Sequence, residues 1–250
     1  MASFSFVTVC VGKSYIDYFA NLLPEFANLN LPSNTNLYVN TNHIDYAREK
    51  LIDSPLKLQI IDFSPILEHY DIPERLYRDN DCIKIRAFLN ALPYDSNDFL
   101  FYIDGDMKPN HYDKEEFDKV FDQEGFYYEL CHEYNSPDDI EDHTIRRVRQ
   151  IQNLGFDLQF MNTERDTIIF PIERYWGLKR TFCEREQKFA EEFINLFDLM
   201  INNGLRNDLY TECVEMAHCF SKHFEGNKHI NMGLTFSETH SIECYNALQS

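Results

Sequence analysis

Phe99-Leu-Phe-Tyr-Ile103 is an unbroken apolar run that ends in Asp104-Gly105-Asp106. A strand of this composition has no polar face to give to water. It therefore predicts the middle of a sheet covered on both sides, as happens where helices cross over parallel strands. Strand-like runs at residues 4–11, 37–39 and 56–63 precede it, and the second ends in Asn40-Thr41-Asn42. Helical patterns lie between them. The first has Ser14 as its expected N-cap and Tyr15, Tyr18, Phe19, Leu22 and Phe26 on its buried face, with Pro24 expected to kink or shorten it. The second covers residues 45–51, and the third residues 81–92, with Ile83, Phe88, Leu89 and Leu92 inward. Pro93 and Asp95-Ser96-Asn97 then turn the chain into the aspartate-bearing strand. Such an order predicts an α/β fold, a mainly parallel central sheet flanked by helices.

Residues 111–250 are less regular. Strand-like segments fall at 124–133 and 167–173, and a charged helical stretch at 138–150. Residues 184–201 form a strongly amphipathic helix with Phe189, Phe193, Leu196, Phe197 and Met200 as its stripe and Gly204 as its stop. Another helix at 208–224 carries Leu209, Cys213, Met216, Ala217, Phe220 and Phe224, and the tail from Gly226 is polar and mixed. No repeat or Pro/Gly-rich linker interrupts the chain, so one domain over 1–250 is expected.

With 21 Phe and 15 Tyr, the core should be rich in rings. A net charge of −19 repels nucleic acid and anionic lipid, and neither is expected as a non-specific partner. The seven cysteines make no Cys-x-x-Cys pair and predict free buried thiols in a reducing compartment. Cys213, His218, Cys219 and His223 match no standard zinc spacing; buried thiols beside solvated histidines are expected instead. Residues 4–11 lack a basic leader or cleavage site, and no apolar run approaches the length of a membrane span. The expected location is therefore cytoplasmic.

Asp104 and Asp106 are the chemical centre of the sequence. At the carboxyl end of a core strand they stand where open α/β sheets hold ligands. Paired carboxylates supply hard oxygens suited to Mg²⁺ or Mn²⁺, and such an ion bridges to a diphosphate. Gly105 lets the backbone turn closely between them. A plain strand-end turn would use the same residues; the preceding apolar run, and Lys84 and Arg86 on the upstream helix, favour the metal site. Gly12-Lys13-Ser14 echoes the end of a phosphate-binding P-loop, but Val7 stands where that loop needs glycine, and residues 8–11 are strand formers. The first helix N-terminus still offers backbone amides, so residues 9–15 are candidates for nucleotide contact. A haloacid-dehalogenase phosphatase needs an aspartate where this chain has Tyr102, and Asp106 stands in place of that motif's threonine.

The constellation resembles the GT-A glycosyltransferases, glycogenin and the bacterial lipopolysaccharide galactosyltransferases among them, in which an Asp-x-Asp motif closes a core strand. The resemblance covers residues 4–110. It implies a Rossmann-like GT-A single domain whose residues 1–110 bind a UDP-, GDP- or dTDP-linked sugar and whose residues 111–250 bind a glycan or similar acceptor. By position, Cys10, Val11, Gly12, Lys13 and Tyr15, with Ile103, Asp104 and Gly105, would line the nucleotide sugar, and Lys84 or Arg86 would add positive charge. Asp104 would lean toward ribose and metal, and Asp106 would bind Mn²⁺ or Mg²⁺ directly. Retaining members complete the metal shell with a histidine near the C-terminus; His223, His229 and His240 are candidates, with His240 preferred. Only Met161-Asn162-Thr163 echoes the Asn-Ser-Gly strand of those members, so the stereochemical course stays open. An inverting enzyme would need a carboxylate base, for which Glu212 and Glu215 stand first, followed by Asp208 and Glu173. Tyr175-Trp176 would be either a sugar platform or core filling. The alternatives are a nucleotidyltransferase of related fold, which normally carries a Gly-rich, Arg-containing loop absent here, and a catalytically silent domain of the same architecture.

Overall fold

A computed structural model describes residues 3–71, 82–120, 126–134, 136, 142–158, 161–162, 167–179, 183–203, 212–223 and 234–238. Its contacts divide the chain into two compact units, Met1–Gln123 with Asn231–Ser250, and Glu124–Ile230.

The first unit begins with strand β1 (Phe4–Val9), helix α1 (Lys13–Ala27), β2 (Asn36–Thr41), α2 (Ile44–Lys50) and β3 (Lys57–Asp62). Helices α3 (Ser64–His69) and α4 (Cys82–Ala91) follow, then β4 (Phe99–Ile103). The strands are parallel: β1 pairs with β2 on one side and β4 on the other, and β2 pairs with β3. The order β3-β2-β1-β4 means that the chain winds outward from β1 and then crosses back to lay β4 on its other side. Between β1 and β4 the winding reverses, which is where doubly wound sheets open a ligand site.

Register sorts the side chains onto two faces. Phe4, Phe6, Phe99 and Phe101 share one face, and their rings meet Phe26 of α1 and Phe117 of helix α5 (Lys114–Val120) at centroid distances of 5.2 to 6.4 Å. All six are buried. Burying each ring contributes about 1.5–3 kcal/mol, and the tilted and edge-on geometries add to that. The other face carries Val7, Tyr38, Asn40 and Tyr102 beneath α4, where Asn40 Nδ2 donates to the Ala87 carbonyl at 3.2 Å. Just before β4, Ser5 Oγ and Tyr38 Oη donate to Asp95 Oδ1 at 2.6 and 3.2 Å, and Asn97 Nδ2 donates to the Phe4 carbonyl at 3.0 Å. The Asp95–Asn97 turn thus fixes the entry of β4 against β1 and β2.

Helix α1 differs from expectation in two ways. Ser14 is not its cap; Gly12, at φ 86°, turns the chain directly into the helix, with no side-chain cap bond. The buried stripe is Ile16, Phe19, Leu23 and Phe26, so only Phe19 and Phe26 of the expected face lie inside. The helix continues through Pro24 to Ala27. An antiparallel ribbon of β5 (Met107–Tyr112) and β9 (Leu234–Glu238) belongs to this unit too, with Phe236 packing 6.1 Å from Phe6.

In the second unit, β6 (Phe126–Tyr134) runs antiparallel to β8 (Thr167–Lys179), and the short β7 (Met161–Asn162) pairs antiparallel with β8. Helices α6 (Asp142–Asn153), α7 (Cys183–Asn202) and α8 (Glu212–His223) complete it. Ile151, Leu196, Val214 and Ala217 form its helical core, with Phe189 and Phe193 also buried. Trp176 is fully buried, 6.4 Å from Phe189, and Tyr175 is buried beside it, so this pair fills the core.

Glu192 of α7 gathers charge from α8. Its Oε1 lies 3.2 Å from His218 Nε2 and 2.5 Å from Lys222 Nζ, and its Oε2 contacts His223 Nε2. His218 is buried rather than solvated, packed edge-on against Phe156. Burial depresses its basicity, and the nearby Glu192 charge offsets this only in part. Burial pushes Glu192 upward, but the bonds from Lys222 and His223 outweigh it and leave its carboxyl below the usual range. Both shifts have the same sign for stability. A histidine lowered from 6.5 binds its proton more readily when unfolded, so protonation favours unfolding as pH drops below 6.5. A carboxylate lowered from 4.5 loses its stabilisation as pH falls through the folded value. Thermal melting followed between pH 7 and pH 5 should therefore show progressive loss of stability, and Glu192→Gln, which removes the charge that helps His218 keep its proton, should steepen the slope. An unchanged slope in that variant would refute the coupling.

Candidate functional site

The carboxyl ends of β1 and β4 bring together most of the residues singled out from the first half of the sequence. After β1, Cys10 and Val11 are buried; Cys10 N donates to the Asn40 carbonyl at 2.8 Å and Gly12 N to Asn42 Oδ1 at 2.9 Å. Asn42, from the polar end of β2, thereby shapes the loop that starts α1. Lys13 is exposed, with Nζ 5.1 Å from the centroid of the Tyr46 ring, and Tyr15 is half-buried. After β4, the turn is closed by Met107 N donating to the Asp104 carbonyl at 3.0 Å. Gly105 packs against the end of β1, where a Cβ would come 3.2 Å from Cys10 Sγ. The two strand ends are therefore in close contact, and side-chain bulk is excluded between them.

Tyr102 and Asp104 alternate with Ile103, so they share the face beneath α4 while Ile103 is buried in the ring-rich face. Tyr102 Oη donates to Asp104 Oδ1 at 2.6 Å, and Lys84 Nζ of α4 lies 3.2 Å from Asp104 Oδ2. Burial and then the neighbouring Asp104 charge hold the Tyr102 phenol well above its ordinary value, so it is a fixed donor. Lys84 and Arg86, two residues apart on a helix, diverge. Arg86 stacks over the Tyr70 ring at 5.2 Å and bonds its hydroxyl, whereas Lys84 faces the aspartate. Asp106 is buried at 9% exposure in the turn. Burial, followed by the charges of Asp106 and Asp104, drives the Cys10 thiol upward. Cys10 is consequently a neutral wall of the site and not a nucleophile.

The donor set suits a hard divalent ion. Asp104 and Asp106 contribute carboxylate oxygens only, and the place beside Asp104 Oδ2 already attracts a cation, the Lys84 ammonium. Among the described residues no group of three or more His, Cys, Asp or Glu is assembled for a metal. The expected third ligand, His240, lies outside the described residues, as does His229. His223 is engaged with Glu192.

Of the four candidate bases, Asp208 and the side chains of Glu212 and Glu173 lie outside the described residues. Glu215 faces the interior of the second unit at 1% exposure and accepts from Arg147 Nε and Nη2 at 2.9 and 2.5 Å. Those surroundings make it the counter-ion of a buried guanidinium. Cys10 and Cys219 are free and buried, as expected. No helix among the described residues is long and apolar enough to cross a membrane.

Sequence reasoning passed over Tyr102 and Asn42 as site-shaping residues. Tyr102 was legible from strand periodicity, since it stands two residues before Asp104 and must share its face. Fold and strand ends together define an α/β protein with an acidic, cation-attracting centre at the switch point of its parallel sheet. No protein-family model matches the chain, and no curated protein matches it either.

Proposed function

We propose that the chain is a metal-dependent glycosyltransferase of GT-A architecture that moves a sugar from a nucleoside-diphosphate donor to a glycan or similar acceptor. The observation that carries this is the Lys84–Asp104 ion pair at the switch point between β1 and β4, with Asp106 two residues on in the same turn. When bound, Mn²⁺ or Mg²⁺ supplies Lewis acidity to the diphosphate, whose negative charge grows as the sugar departs. Asp104 and Asp106 would hold that ion. Tyr102 fixes the Asp104 carboxylate through Oδ1, which leaves Oδ2 aimed at the cation's place. Lys84 is within reach of the same place and donates charge-assisted hydrogen bonds to the leaving diphosphate. Gly105 lets the end of β4 pack directly against the end of β1, and the start of α1 at Lys13 faces the nucleotide.

Thermal melting with UDP-, GDP- and dTDP-sugars, with and without Mn²⁺, tests the proposal. One donor should raise the melting temperature only when the metal is present, by roughly 5–10 °C at about a hundred times its Kd. Product analysis should show the free nucleoside diphosphate; release of pyrophosphate from a nucleoside triphosphate supplied with a sugar 1-phosphate would instead identify a nucleotidyltransferase. No shift with any donor would overturn the enzymatic assignment in favour of a silent binding domain.

A further inference from the structure

We propose that Lys84 and the divalent cation are alternative counter-ions of Asp104, so that Lys84 must leave the carboxylate before the metal takes its place. This rests on the metal-dependent glycosyltransferase proposed above and adds a regulation of the same site. Both Asp104 oxygens are engaged, Oδ1 by the Tyr102 hydroxyl and Oδ2 by the Lys84 ammonium. The Tyr102 hydroxyl is neutral and compatible with a cation at Oδ2. The ammonium is not, because two positive charges on one oxygen repel strongly where water is scarce. Water is scarce here: the Lys84 and Asp104 side chains are 19% and 18% exposed. Arg86 offers no substitute, since it is turned to Tyr70.

The arrangement has a purpose in the metal-free protein. Asp104 and Asp106 are two carboxylates on one short turn, and the ammonium balances the charge of Asp104. Lysine suits an exchange of this kind because its charge sits on a flexible four-carbon stem and swings to a new partner without breaking a bidentate fork. Once the metal occupies Oδ2, the released ammonium is within reach of the incoming diphosphate. Lys84 thus weakens metal binding to the empty site and strengthens diphosphate binding to the loaded one. It is a positioning residue for the metal.

The test is isothermal calorimetry of Mn²⁺ binding to the nucleotide-free full chain, in wild type, Lys84→Met and Lys84→Arg. Lys84→Met should tighten Mn²⁺ binding about five- to tenfold, the value of one partly screened ion pair. Lys84→Arg, which restores the charge, should return the Kd to within about twofold of wild type. A purely structural role predicts weaker binding in Lys84→Met, the opposite sign. Unchanged or weaker Mn²⁺ binding in that variant, with wild type still binding, overturns the exchange but leaves the metal site intact. Absence of Mn²⁺ binding in all three proteins overturns both. Should Lys84→Met not fold, Lys84→Gln decides by the same criterion.

Discussion

Asp106→Ala is expected to abolish Mn²⁺-dependent stabilisation by the donor and to lower donor hydrolysis by more than about a hundredfold. Loss of a group that merely orients a ligand typically costs about 10- to 100-fold in metal affinity or activity, and loss of the ligand itself should exceed that. Asp106 is the better of the two aspartates for this experiment. Asp104 is tied to Tyr102 and Lys84, so replacing it perturbs a buried hydroxyl and an ammonium as well as any bound ion. Asp106 stands in the turn after Gly105, next to the start of β5, and its carboxylate is the direct metal ligand of the proposed site. Asp106→Asn provides the shape-preserving companion. It keeps one oxygen and the side-chain volume but removes the charge, and should fall between wild type and Asp106→Ala. Full retention of either the metal-dependent shift or hydrolysis in Asp106→Ala would remove Asp106 from the metal shell.

The parallel half of the fold was legible because its signals are local. Phe99–Ile103 has no polar position, and only a strand covered on both faces accommodates that. The alternation of strands and helices through Ile103 then restricts the topology to a crossover sheet, and the carboxyl end of β4 follows as the ligand edge. Which helical residues face inward was less legible. Tyr15, Tyr18 and Leu22 satisfy helical spacing as well as Ile16 and Leu23 do, and packing against the sheet, which the local pattern does not contain, makes the choice. The β5–β9 ribbon escaped altogether. Met107–Tyr112 contains Pro109 and His111, and Leu234–Glu238 has only Leu234 and Phe236 as inward residues, too short a period-two pattern to stand out. Its pairing is a long-range contact that no local propensity announces.

The candidate site was legible in its carboxylates and not in its partners. Two positively charged residues at positions 84 and 86 are equivalent to a sequence reader. On the helix they diverge, and the structure gives Lys84 to Asp104 and Arg86 to Tyr70. Buried charge in the second unit was likewise hidden. Periodicity marks Glu215 as a polar residue on an amphipathic helix, which normally means solvent or catalysis. Its partner, Arg147, lies in a helix 68 residues away.

Glu215→Ala should therefore destabilise the protein by about 3–5 kcal/mol, the usual cost of removing one member of a buried ion pair. The large size comes from what remains. Arg147 is 3% exposed, and its guanidinium cannot lose its proton to escape the interior, so its charge is left without the carboxylate that balances it. The pair itself contributes much less, because both ions were desolvated to form it. Arg147→Met with Glu215→Leu, which replaces both by apolar side chains beside Val148, Ile151, Val214 and Ala217, should recover most of the loss. Urea unfolding followed by far-UV circular dichroism measures both variants against the wild type. A loss below about 1 kcal/mol in Glu215→Ala would show that the pair is not the buried, mutually dependent unit seen here. The same series separates a counter-ion from a catalytic base. Glu215→Gln keeps the shape and an acceptor oxygen for Arg147, so any decline in sugar transfer should track the fraction unfolded and vanish under conditions where the variant is fully folded. A folded Glu215→Gln protein with transfer reduced a hundredfold or more would instead place this carboxylate in the chemistry, since general-base catalysis is worth about 10²–10⁴-fold.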